Sequence, residues 1–135
     1  MQITFDLPHV FYPGSSTEEN AYVLRGLLEM LIYQNLGYLR NHAVPSLYRS
    51  GVVYARTKVW DAIPALYKRG EGDCKSLTAA LIAEYRKSGK RAVPTFRWIT
   101  RPDGYKDYHI LVQTDDGFED PSKVLGMGKN ENQRW

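Results

Sequence analysis

The sequence predicts an α+β domain in which helices come first and an antiparallel sheet follows. Three observations carry this reading. The segment "STEE" at residues 16–19 is a helix-capping signal, and it opens a long run of helically spaced apolar residues. A second helix-patterned run, "CKSLTAALIAEYRKS", starts directly after Gly72-Asp73 and is closed by Gly89. Two segments rich in β-formers, "AVPTFRWIT" and "YHILVQT", come last, the second running into the hairpin signal "DDG".

Taken in order, "QITF" is a short strand candidate and "YPGSS" a turn. Ser16 caps a helix over 17–41, with Glu19 three residues on completing a capping box. Val23, Leu24, Leu27, Leu28, Met30 and Leu31 are spaced for its buried stripe. Pro45 closes the region, and "GVVYAR" is a short extended segment. "WDAIPALYKRG" reads as a short helix capped by Asp61, tolerant of Pro64 in its first turn and ended by Gly70. The second strong helix covers 74–88. After the two strands and their turn come "FEDPS" and a Gly-rich polar tail, "GMGKNENQRW".

A chain of 135 residues and 15.5 kDa is expected to form a single domain. Hydrophobic residues at 43% suffice for a core, and charged residues at 24% match an ordinary soluble protein. Ten tyrosines give an aromatic content that suits a contact surface as well as a core. The net charge of +3 is carried by scattered Lys and Arg, so nucleic-acid binding is not expected. Lys68, Arg69, Lys75, Arg86, Lys87, Lys90 and Arg91 read as a solvated face. One cysteine excludes an internal disulfide framework and suits a reducing compartment. "MQITFDLPHVFYPG" lacks a basic region followed by an apolar run, and no segment has the length of a membrane span. The expectation is a protein made in the cytoplasm. One Cys and three dispersed His lack zinc-ligand spacing, so no metal is expected.

That cysteine sits where a helix should begin. With Asp73 as N-cap, Cys74 is the first helical residue, beside unpaired backbone N–H groups and the positive end of the helix dipole. Both favour the thiolate, and the same N–H groups suit an oxyanion. The Asp73 carboxylate opposes this. Gly70 and Gly72 remove side chains that would block a substrate. A thiolate nucleophile calls for a base. His9 lies in a Pro-flanked segment and His42 ends the long helix, whereas His109 stands on the rigid strand "KDYHILV" with Asp107 and Leu111 on its face. Asp120 is the candidate to orient the imidazole. An Asp116-Gly117 turn would place it opposite Gln113, about 13 Å along the strand from His109. A wider loop or a bulge would close that gap, and Asp107 is the fallback. The competing reading makes Cys74 a core residue, since it shares a helix face with Leu77, Leu81 and Tyr85.

The segments "WDAIPALYKRGEGDCKSLTAALIAEYRKSGKRAVP", "YHILV" and "EDPS", in that order, resemble the transglutaminase-like cysteine peptidase superfamily, which shares the papain-like fold. "LYRSGVVYAR" and "EDPSKVLGM" resemble more narrowly the small transglutaminase-like proteins of tailed bacteriophages. The resemblance covers about residues 47–127 and leaves 1–46 outside it. It implies a papain-like α+β fold, with Cys74 as nucleophile, His109 as base and Asp120 as orienting acid. The implied activity is acyl transfer, most simply peptide hydrolysis, on a protein or peptide substrate and without a cofactor. Lys75-Ser76 stands where relatives often carry an acidic pair, and no Gln lies between Gln34 and Cys74 to serve as the papain-type oxyanion donor. Trp60 is the chosen oxyanion candidate, with Tyr54 as a second. The competing functional class is a phage virion or assembly component that keeps the fold for docking to other structural proteins.

Overall fold

A computed structural model describes residues 2–128, so most of the polar tail lies outside the described residues. The chain is α+β, with helices before a small antiparallel sheet. Helix α1 (Thr17–Asn41) begins as its sequence requires: the Ser16 hydroxyl accepts the Glu19 amide, and Glu18 and Glu19 face the positive helix end. Leu24, Leu28, Leu31, Ile32, Leu36 and Leu39 form its buried stripe, while Met30 is half exposed on the other side. The stripe also holds two asparagines. Asn20 accepts the Phe11 amide and Asn35 the Ile63 amide, which ties the irregular segments on either side to the helix.

After a 3-10 turn at Leu47–Arg49, strand β1 (Val53–Tyr54) pairs in parallel with β2 (Glu71–Gly72). Between them lies α2 (Ile63–Arg69). Asp61 does not cap α2, because the cap position is Ala62; the Asp61 carboxylate instead takes Arg69 Nε at 2.7 Å. Gly70 ends α2 in the left-handed region, at φ 79°. The "QITF" segment is not a strand. Its residues are exposed and no partner strand adjoins them.

Helix α3 (Cys74–Lys87) is the centre of the molecule. Every residue from Ser76 to Ala83 is buried, because α3 packs on α1 and on the sheet at the same time. Small residues at Ala79, Ala80 and Ala83 allow this contact on more than one side. The sheet runs β3 (Ala92–Thr100), β4 (Lys106–Thr114) and β5 (Gly117–Glu119), antiparallel throughout and with β4 in the middle. A short helix, α4 (Pro121–Val124), follows β5 immediately. Among the described residues, no helix is long and apolar enough to cross a membrane.

Candidate active site

Strand β5 is short, and this shortness builds the site. In an antiparallel ladder the N–H and C=O of one residue point to the same side. Val112 uses that side to pair with Glu119, where β5 ends. Two residues earlier the same edge of β4 is open, and α3 docks there. Thr78 Oγ1 donates to the Ile110 carbonyl at 3.1 Å, and the Ile110 amide lies near enough to the Cys74 sulfur to favour its thiolate. The first turn of α3 thus takes the place of a fourth sheet neighbour, which brings Cys74 to the flank of the strand that carries His109.

The register settles where Asp120 lies. Thr114 pairs with Gly117, so the turn residues are Asp115 and Asp116, one place earlier than an Asp116-Gly117 turn. Continued past Glu119, this register sets Asp120 opposite Leu111 rather than Gln113. That is about 7 Å along the strand from His109, within diagonal cross-strand reach. His109 Nε2 and Asp120 Oδ2 are 2.7 Å apart, with His109 almost wholly buried. A carboxylate only accepts, so Nε2 carries the proton and Nδ1 is the acceptor of the neutral ring. Asp120 is also the N-cap of α4, its Oδ1 accepting the Lys123 amide at 3.3 Å. Burial pushes the Asp120 carboxyl up, but the His109 hydrogen bond and charge, with the Lys123 amide, hold it below its ordinary value. Asp107, the fallback, lies 3.4 Å from Arg101 Nη1.

Asp73 is the N-cap of α3 and Cys74 its first residue, but the Asp73 side chain makes no capping bond. Its carboxylate pairs with Lys75, whose Nζ also donates to the Thr57 carbonyl at 2.7 Å. Lys75 is therefore a strut between α3 and the segment after β1, not part of a solvated face. The thiol is not acidic. Burial, and next the Asp73 carboxylate, push it up to about 12, against the opposing pull of the Ile110 amide and Lys75. The helix start does not outweigh desolvation here, so Cys74 rests as a protonated thiol.

Cys74 and His109 line one cavity of about 440 Å³, together with Tyr54, Arg56, Thr57, Lys58, Asp73, Asp107 and Tyr108. Trp60 does not line it. The centre of its exposed indole ring lies 5.9 Å from Lys75 Nζ. Tyr54 does line it, and its phenol is pushed up first by burial and then by its nearness to Cys74. Gly72 is glycine for packing, because a Cβ there would sit 2.5 Å from Leu66 Cδ1. It therefore seats α3 against α2 and does not serve as a path for substrate. His42 bonds the Tyr38 carbonyl and stacks on its ring, and neither it nor His9 lines the cavity. Among the described residues, no group of three or more His, Cys, Asp or Glu is placed to hold a metal.

No family model matches the chain, and no curated protein or solved structure is detectably similar to it. The cavity residues that sequence reasoning passed over are Arg56, Thr57, Lys58 and Tyr108. The first three follow β1 in "YARTK", a basic cluster too short to stand out until the fold sets it opposite Cys74. Tyr108 neighbours His109 in sequence, but strand alternation gave no reason to bring it to the same opening.

Proposed function

We propose that this protein is a cysteine-dependent acyl-transfer enzyme of transglutaminase-like, papain-like type, acting as a peptidase. The observation that carries the reading is the 2.7 Å contact of His109 Nε2 with Asp120 beside a cavity that also receives Cys74 from the first position of α3. Burial, a base and an orienting carboxylate at one opening are what thiol acyl transfer needs.

The chemistry follows from the protonation states. Cys74 Sγ attacks a substrate carbonyl while its proton passes to His109 Nδ1. A resting thiol with a high pKa favours transfer during attack over a preformed ion pair. The imidazolium is held by Asp120 through Nε2–H. The carbonyl oxygen becomes an oxyanion, and Tyr54, which lines the same cavity as Cys74, supplies its hydroxyl as donor. The Arg56 charge lies near the Tyr54 phenol and opposes the upward push of burial on it. Collapse of the intermediate breaks the carbon–nitrogen bond, His109 protonates the departing amine, and a thioester remains on Cys74. Water, deprotonated by His109, then hydrolyses the thioester and regenerates the thiol. No step needs a metal or organic cofactor.

The test is acylation by p-nitrophenyl acetate followed by peptide mapping. An acetyl group on Cys74 that forms and then turns over, with loss of both in His109→Ala, supports the reading. A wild-type protein that never acylates at Cys74 overturns it. A second reading, a virion or assembly component, draws on the outward face of α1, where Tyr22, Met30 and Tyr33 stand exposed. Its test is the presence of the protein in purified phage particles.

A further inference from the structure

We propose, resting on the thiol-enzyme reading, that the cavity selects acyl donors bearing a carboxylate next to the reacting carbonyl, and that Arg56 and Lys58 are the residues that select them. The charges around the cavity support this. Its walls hold the acids Asp73 and Asp107 and the bases Arg56 and Lys58. Each acid has a cation beside it from outside the lining: Asp73 pairs with Lys75, and Asp107 faces Arg101, which it shares with Asp103. Neither Arg56 nor Lys58 is in an ion pair among the described residues; Arg56 lies beside the neutral Tyr54 phenol. The opening therefore presents two cations without a carboxylate partner among the described residues, to which the N-terminus of α3 adds its dipole.

These cations are held in place. The Ala55 amide bonds the Gly72 carbonyl at 2.9 Å, Lys75 Nζ grips the Thr57 carbonyl, and the Thr57 hydroxyl accepts the Val59 amide at 3.2 Å. The backbone on both sides of Arg56 and Lys58 is thus fixed to β2, to α3 or to itself, while both side chains remain exposed. A carboxylate entering beside the reacting carbonyl gains two cations without displacing an existing partner. A cationic or neutral donor leaves them unused.

The experiment compares alkylation of Cys74 by iodoacetate and by iodoacetamide, reagents of similar size that differ in charge. Each rate is divided by that of N-acetylcysteine in the same buffer. The normalised preference for iodoacetate should be about fivefold at low ionic strength and shrink towards one near 1 M salt, as exposed charges a few ångströms from the site require. In Arg56→Gln/Lys58→Gln it should fall to about one even at low salt. Protection of Cys74 by N-acetylglutamic acid α-amide or by N-acetylalanine then assigns the carboxylate to a side chain or to a chain end. Labelling by both reagents without an anionic preference, an unchanged preference in the double variant, or protection by neither compound overturns this proposal alone. Absence of labelling by either reagent overturns the thiol-enzyme reading, and the selectivity with it.

Discussion

Replacing Asp120 separates the two tasks of its carboxylate. Oδ2 accepts a hydrogen bond from His109 Nε2 at 2.7 Å, and Oδ1 caps α4 through the Lys123 amide at 3.3 Å. Alanine removes both bonds. A lost helix cap costs about 1 kcal/mol. A lost hydrogen bond to a charged acceptor, with the buried donor left unpaired, costs roughly 2 kcal/mol. Asp120→Ala should therefore destabilise the fold by about 3 kcal/mol. Asparagine has one acceptor oxygen and one donor nitrogen. It keeps the bond its oxygen faces and sets N–H against N–H at the other, so about half the loss is expected. With a urea slope of about 2 kcal/mol/M, the midpoint should fall by roughly 1.5 M in Asp120→Ala and 0.7 M in Asp120→Asn. Cys74 labelling of the folded variants should follow the same order, wild type fastest and alanine slowest. The acid limb is a further readout. A carboxyl whose pKa is lowered by folding contributes stability that is present above its unfolded value, about 3.9, and is lost as pH falls through the folded one. Wild type should lose stability below about pH 4, and Asp120→Asn should lose less over that window. An Asp120→Ala protein with the wild-type midpoint and labelling rate would refute the reasoning.

Other substitutions probe the remaining parts of the site. Asp73→Asn removes the carboxylate that raises the thiol and costs α3 no capping bond. A fall of about one pKa unit gives roughly tenfold more thiolate, partly offset by lower nucleophilicity, so labelling should rise about threefold below the thiol pKa; an unchanged rate would deny the coupling. Tyr54→Phe should cut kcat for acylation by about 100-fold with KM little changed, as loss of an oxyanion donor does, whereas a KM effect alone would make Tyr54 a binding residue. Trp60→Phe should leave acylation within about twofold of wild type, since the indole lies outside the cavity and loss of one exposed cation–π contact is worth about 0.5–1 kcal/mol. Gly72→Ala forces a Cβ against Leu66 and should cost about 1–3 kcal/mol in thermal or urea unfolding.

The order of elements was legible because local signals mark it. Ser16 and Glu19 start α1, Gly70 and Asp73 bracket the junction of α2 and α3, and apolar spacing gives the buried face of each helix. The same local signals brought Cys74 to the first position of a helix and His109 to a strand. What they could not give was any quantity that depends on two distant segments. The distance from His109 to Asp120 turned on a single place in the hairpin, and "TDDGF" allows either turn. The acidity expected of Cys74 came from its own helix, whereas the thiol is governed by desolvation that the edge of β4 and the neighbouring Asp73 impose. Residue type alone does not separate Trp60 from Tyr54 as an oxyanion donor. The parallel pairing of β1 with β2, two residues long, is what brings Tyr54 to the cavity. Pairings that short leave no periodic trace in a sequence.

The account stands on His109 acting as the base for Cys74, and the most direct measurement is the pH profile of Cys74 alkylation in wild type and in His109→Ala. Wild type should show two rises, one at lower pH that requires His109 as base and a second at high pH as the thiol itself, pushed up by burial, ionises. His109→Ala, checked for folding by circular dichroism, should lose the first rise and keep the second. Two superimposable profiles, each with the high-pH rise alone, would make Cys74 an ordinary buried cysteine and contradict the account.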